Sequence, residues 1–145
     1  MTFGLTRACL ALIVLAAAPL AARAATATLE PANGSKAKGQ VTFTQDGSRV
    51  RAMGEITGLA PGRHVLQVHE KGDCSAADAD KHGGSGGAGD FGSITASSSG
   101  AATVSTSLTG VSIASLMGKE LVVHEKPDDK RSDLSGRRIA CGVVK

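Results

Sequence analysis

Apolar and polar residues alternate along most of the chain in short runs, broken by Gly, Asn, Asp and Pro. No apolar period of 3.6 residues persists for three turns, so amphipathic helices are not expected. A first strand is predicted at residues 25–29, ended by Pro31 and the turn Asn33-Gly34. Residues 40–44 alternate as a half-buried strand does, Asp46-Gly47 marks a hairpin, and residues 49–56 return with the same alternation. Pro61 turns the chain within residues 58–62, and residues 65–69 form the next strand. Strand signals resume at 94–98, 102–108, 121–124 and 139–144, with one short helical turn at 113–117. Two long loops interrupt the series. Residues 74–92 are rich in Gly, Ser, Ala and Asp without apolar periodicity, and the segment 125–137 is polar. Loops of such length in a compact domain are usually functional or mobile. Roughly eight short strands separated by turn signals predict an all-β fold, an antiparallel sandwich or barrel. No internal repeat or second domain is visible.

The first residues break this pattern. Arg7 precedes an almost unbroken apolar stretch over residues 8–20, and Ala22-Arg23-Ala24 follows with small residues flanking one position. That is the layout of a secretory signal. Thirteen apolar residues are too few for a spanning helix, which needs about 20. The expectation is a signal peptide at 1–24 and one exported domain at 25–145, most simply in a bacterial periplasm, with no membrane attachment after cleavage. Taking Arg7 and Arg23 from the 16 basic residues leaves 14 against 13 acidic ones, a net charge of +1. Such a balance, in a chain with three Phe in all and no Trp or Tyr, gives no support for nucleic acid as a partner. The pattern carries no signal for an oligomeric state.

With so few aromatics the core has to be built from Val, Ile, Leu and Ala, and a covalent staple would help it. Cys74 and Cys141 are the two cysteines left after cleavage, 67 positions apart. An oxidising compartment favours their pairing, worth about 4 kcal/mol in the chain-entropy view; two buried free thiols are the other reading.

Four histidines stand in the predicted domain: His64, His69, His82 and His124. His69 and His124 each close a β-rich run and each precedes one of the long loops. With His82 and Asp90 in the Gly-rich loop, they form a candidate metal set, since imidazoles suit copper and zinc and a carboxylate completes many zinc sites. Scattered histidines are the alternative.

Four strings then become specific: PGRHVLQVHEKGDC at 61–74, AGDFGSI at 88–94, LVVHEKPDD at 121–129 and GRRIACGVV at 136–144. In order, and across nearly the whole predicted domain, they resemble motifs of the copper–zinc superoxide dismutases. The resemblance implies an eight-stranded antiparallel Greek-key sandwich, a family the sandwich architecture is known to include. It implies copper ligation by His69 and His124, attraction of superoxide by Arg138, and a disulfide between Cys74 and Cys141. It further implies a zinc-type carboxylate at Asp90, an aspartate linking the two metal shells at Asp128, and a structural brace at His64.

Departures from the family pattern are equally plain. Gln67 stands at the place of a copper histidine, Gly87 at that of a zinc histidine, and the stretch carrying the bridging histidine has no counterpart. His82 fits a zinc-type position by its local string, or by its nearness to Cys74 replaces the missing bridging ligand to copper. Zinc is left with His82 and Asp90 at most, short of the usual four ligands. Three readings stay open: a copper-only superoxide dismutase using His69, His124 and His82; a noncatalytic copper- or zinc-binding relative; and a structural domain that has lost its site.

Overall fold

The computed structural model of the chain describes Met1, residues 24–70, Cys74, residues 89–125 and residues 136–145, with backbone alone at Gly89 and Asp90. The predicted signal peptide, His82, Asp128 and the greater part of both predicted long loops lie outside the described residues. Eight strands run in the order β1 (Ala24–Pro31), β2 (Lys38–Asp46), β3 (Arg49–Thr57), β4 (Gly62–His69), β5 (Gly89–Ala96), β6 (Ala102–Thr109), β7 (Glu120–His124) and β8 (Arg138–Val143). One helical turn, α1 (Ile113–Leu116), lies between β6 and β7, capped by Ser112, with Ile113 and Leu116 buried.

Neighbouring strands follow the order β5-β4-β7-β8-β1-β2-β3-β6, and every pairing is antiparallel. The ends of that order, β5 and β6, are consecutive in sequence and joined by a turn closed between Ser97, Gly100 and Ala101. The sheet therefore curls into a nearly closed barrel with two halves, β1-β2-β3-β6 and β5-β4-β7-β8. The β3–β4 and β6–β7 connections cross between the halves, the Greek-key feature of the fold. Strand β1 makes the corner: residues 24–29 pair with β2, whereas Glu30 and Pro31 pair with β8. At that corner Gly142 is required for close approach, since a Cβ there would sit 2.1 Å from the Thr28 carbonyl oxygen.

Alternation decides what fills the barrel. Val41 and Phe43 of β2, Val50, Ala52 and Ile56 of β3, Leu66 and Val68 of β4, and Leu121 and Val123 of β7 all point inward. Phe43 and Phe91 meet at 5.5 Å between ring centroids, tilted at 53°, and so tie the two halves together.

Several strand ends differ from the sequence reading by a few residues, and the largest shift is at the start of β5. The final residues of the predicted loop 74–92 belong to β5, because Gly89 and Asp90 pair with Val68 and Gln67. Backbone pairing of this kind leaves no trace in hydropathy. The irregularity between Val65 and Gln67 coincides with Gly92 at φ +81°, a left-handed residue of the sort that builds a bulge.

Candidate metal centre

Strand register sets the site. On β4 and β7 the pairs Leu66–Val123 and Val68–Leu121 face the core, so the pairs Val65–His124, Gln67–Val122 and His69–Glu120 share the outer face. Cys141 joins this face opposite Val122. Simple alternation would then turn Arg138 inward. A bulge prevents it: Val123 pairs with Ala140 but His124 with Arg138, leaving Ile139 as an extra residue. Ile139 and Ala140 both enter the core, and Arg138 swings to the side of His124. The start of β8 is gripped from the β1–β2 turn, where Asn33 donates to the Arg138 carbonyl at 2.9 Å and the Ser35 hydroxyl donates to that of Ile139.

His124 is buried, and its Nδ1–H donates to the Gly136 carbonyl at 2.8 Å. That bond fixes the tautomer and leaves Nε2 unprotonated, the usual preparation of a metal-binding histidine. His69 is half-buried, with its pKa lowered to about 4, first by desolvation and then by His124 and the Arg138 charge. It is therefore neutral at ordinary pH. The Nε2 atoms of His69 and His124 face each other at 3.4 Å, with ring planes 28° apart. That separation lets both reach a single ion at bonds of about 2.0–2.1 Å. His64 lies behind them: Nε2–H donates to the Ala60 carbonyl at 2.8 Å, and Nδ1 sits 3.2 Å from the carbonyl of His124. It ties the turn before β4 to the end of β7.

Arg138 is 5% exposed, and its Nη2 donates to Glu120 Oε1 at 2.9 Å. Its Nη1 lies 3.8 Å from Cys141 Sγ, and its buried Nε has no partner among the described residues. Glu120, 3% exposed, also brings Oε1 to 3.9 Å from His69 Nδ1 and Oε2 to 3.5 Å from Cys141 Sγ. Sequence reasoning did not single out Glu120. The available signal was a lone acid opening an apolar run, in phase with His124 by strand alternation.

Cys74 and Cys141 form a disulfide with Cα atoms 5.6 Å apart, so the free-thiol alternative falls away. Their sulfurs and a Glu120 oxygen lie within 4.8 Å of one another. They offer no metal site while the bond is closed, because neither sulfur is a thiolate. Gln67, half-buried on the outer face between Val65 and His69, pairs with Val122 on one side and Asp90 on the other. Two imidazole nitrogens thus converge among the described residues. Four zinc ligands are not assembled among them.

Residues 37–144 match the family model for copper/zinc superoxide dismutase. The chain belongs to the copper/zinc superoxide dismutase family. It is 33% identical to a superoxide dismutase [Cu-Zn] of Caulobacter vibrioides, over 83% of this chain and 85% of that protein. It is 36% identical to an extracellular superoxide dismutase [Cu-Zn] of Drosophila melanogaster, over 76% of each. Against an extracellular superoxide dismutase [Cu-Zn] of Caenorhabditis elegans it is 33% identical, over 73% of this chain and 60% of the other. Membership of this superoxide dismutase family implies metal binding and superoxide as the substrate class. Among the described residues no helix is long and apolar enough to cross a membrane.

Proposed function

We propose that this chain is an exported copper protein that dismutates superoxide, two superoxide ions and two protons giving dioxygen and hydrogen peroxide. The single observation that carries this reading is the approach of the His69 and His124 Nε2 atoms to 3.4 Å. Copper bound there would supply the one-electron chemistry, taking an electron from one superoxide and returning it to the next. The chain's own residues do the rest. Gly136 holds the His124 ring in its ligating tautomer. Burial keeps His69 unprotonated and ready to ligate. His82 is our choice for the third copper nitrogen, since Cu(II) prefers more than two and Gln67 offers only an amide. A complete zinc site is not part of the proposal, with His82 and Asp90 alone at zinc-type positions.

A second reading, copper binding without appreciable turnover, is favoured by the ion pair of Arg138 with Glu120, which occupies the guanidinium that lies beside the histidines among the described residues. Metal analysis of protein from its native compartment, followed by a superoxide assay on that sample, separates the two. About one copper per chain with a rate above that of free copper supports dismutation. Copper uptake without such a rate leaves the second reading, and no copper uptake removes both. Titration with His69→Ala and His124→Ala should each weaken copper binding; indifference to both counts against this centre.

Export is proposed from the apolar segment 8–20, with the closed disulfide as support. A periplasmic location and cleavage before Ala25 belong to the same proposal. Mass measurement of the exported form checks it, since cleavage there removes Ala24 from β1 and leaves the remainder of the strand.

A further inference from the structure

Two arginines next to each other in the chain meet two very different fates. Arg137 pairs with Glu125 at 2.9 Å, with both side chains nearly half exposed, an arrangement that salt and water largely screen. Arg138 pairs with Glu120 at the same distance, with both side chains almost wholly buried. The buried pair is seated against the disulfide: Cys141 Sγ lies 3.5 Å from the carboxylate and 3.8 Å from the guanidinium. It also borders the histidine pair through the 3.9 Å approach of Glu120 Oε1 to His69 Nδ1. A lone guanidinium in this place would act on the metal centre as a positive charge that water and salt screen less than one at the surface. Joined to a carboxylate it is half of a dipole, whose field decays faster with distance.

We propose that Glu120 is a positioning residue that masks Arg138, so that small anions reach the His69–His124 centre without the electrostatic help a free guanidinium would give. The masking deepens the copper reading above and rests on it for its effect on rate. Two features make the mask a built one rather than a chance surface contact. The bulge at Ile139 is what places Arg138 on this face at all, and strand register is what sets Glu120 opposite His69. Two consequences follow. The wild-type centre should bind anions weakly and with little dependence on ionic strength. Replacing the carboxylate by its neutral isostere should leave a buried, uncompensated cation, which recruits an anion from solution.

The test uses the disulfide-closed mature chain, with and without copper, and azide as the probe anion. In copper-loaded protein, azide affinity is read from the visible and paramagnetic-resonance spectra of Cu(II). Glu120→Gln should raise it by about tenfold or more at low salt, with the gain falling as salt rises and vanishing in Glu120→Gln/Arg138→Gln. Equal affinities in wild type and Glu120→Gln would overturn the proposal. In the metal-free chain the Arg138 Nε–H resonance is followed during the same titration. It should stay still in wild type and move saturably in Glu120→Gln. This arm judges the mask even when copper is not taken up, so its failure and that of the copper reading are told apart. If Glu120→Gln does not fold, wild type decides alone. Slowly exchanging, separate Nη signals that azide does not disturb support the mask, and saturable movement overturns it.

Discussion

The two halves of the barrel are built by different rules. In β1-β2-β3-β6 the pairings run without a register shift, and apolar residues face inward while Thr, Ser, Gln and Arg face water. In β5-β4-β7-β8 there are two register shifts, and the outer face is itself buried, with His124, Glu120, Arg138 and Cys141 each 5% exposed or less. One half is a wall whose only demand is packing. The other gathers polar groups where water is scarce, so each needs a partner at a set distance. Damage to the first should lower stability alone; damage to the second should also change chemistry.

The largest test of that division is Phe43→Ala, which removes the ring joining the halves. It should cost about 4 kcal/mol in denaturant unfolding while copper affinity per folded molecule stays unchanged. A parallel loss of copper affinity would show the halves to be coupled. Next comes Arg138→Gln, which leaves Glu120 buried without its cation. It should cost about 3 kcal/mol, with much of that returned in the double variant with Glu120→Gln. Strict additivity in that cycle would mean the pair contributes nothing as a pair.

Acid should act on the chemical half through His69. His69 titrates near 4 when folded and near 6.5 when unfolded. The unfolded chain therefore binds the proton more tightly. This contribution to stability is present in full above pH 6.5, declines as pH falls towards 4, and levels off below. Allowing for solvent screening of a half-buried ring, the decline amounts to about 1–2 kcal/mol. His69→Gln should flatten that part of the stability–pH curve; an unaltered curve would assign the acid sensitivity elsewhere. The smallest effect belongs to Arg137→Gln, which breaks the exposed pair with Glu125 and the exposed hydrogen bond from Arg137 Nη1 to the Asn33 carbonyl, and should stay within about 0.5 kcal/mol.

Period and turn chemistry made the fold legible. The alternation at 40–44 and 49–56 around Asp46-Gly47 becomes the β2–β3 hairpin, and residues 113–117 hold the helical turn α1. Local strings also marked His69, His124 and Arg138 as a group. Register was not legible. Nothing in the order of residues says that Ile139 is the extra residue of a bulge, or that Glu120 lies opposite His69. The mask on Arg138 is a product of those two facts, so it emerged only in three dimensions. The same holds for Gly89 and Asp90, whose place in β5 is earned by backbone pairing rather than by side-chain character.

The grip on β8 has a bearing on biogenesis. Glu30, Pro31, Asn33 and Ser35, all near the start of the domain, hold β8, which follows the other seven strands in sequence. A chain emerging N-terminus first thus presents these partners before β8 is made. Cys141 lies on β8, and it comes within bonding distance of Cys74 once that strand is seated. Closure of the crosslink is in this sense a receipt for completed assembly, and a truncated product lacking β8 carries its own chemical label: an unoxidised Cys74.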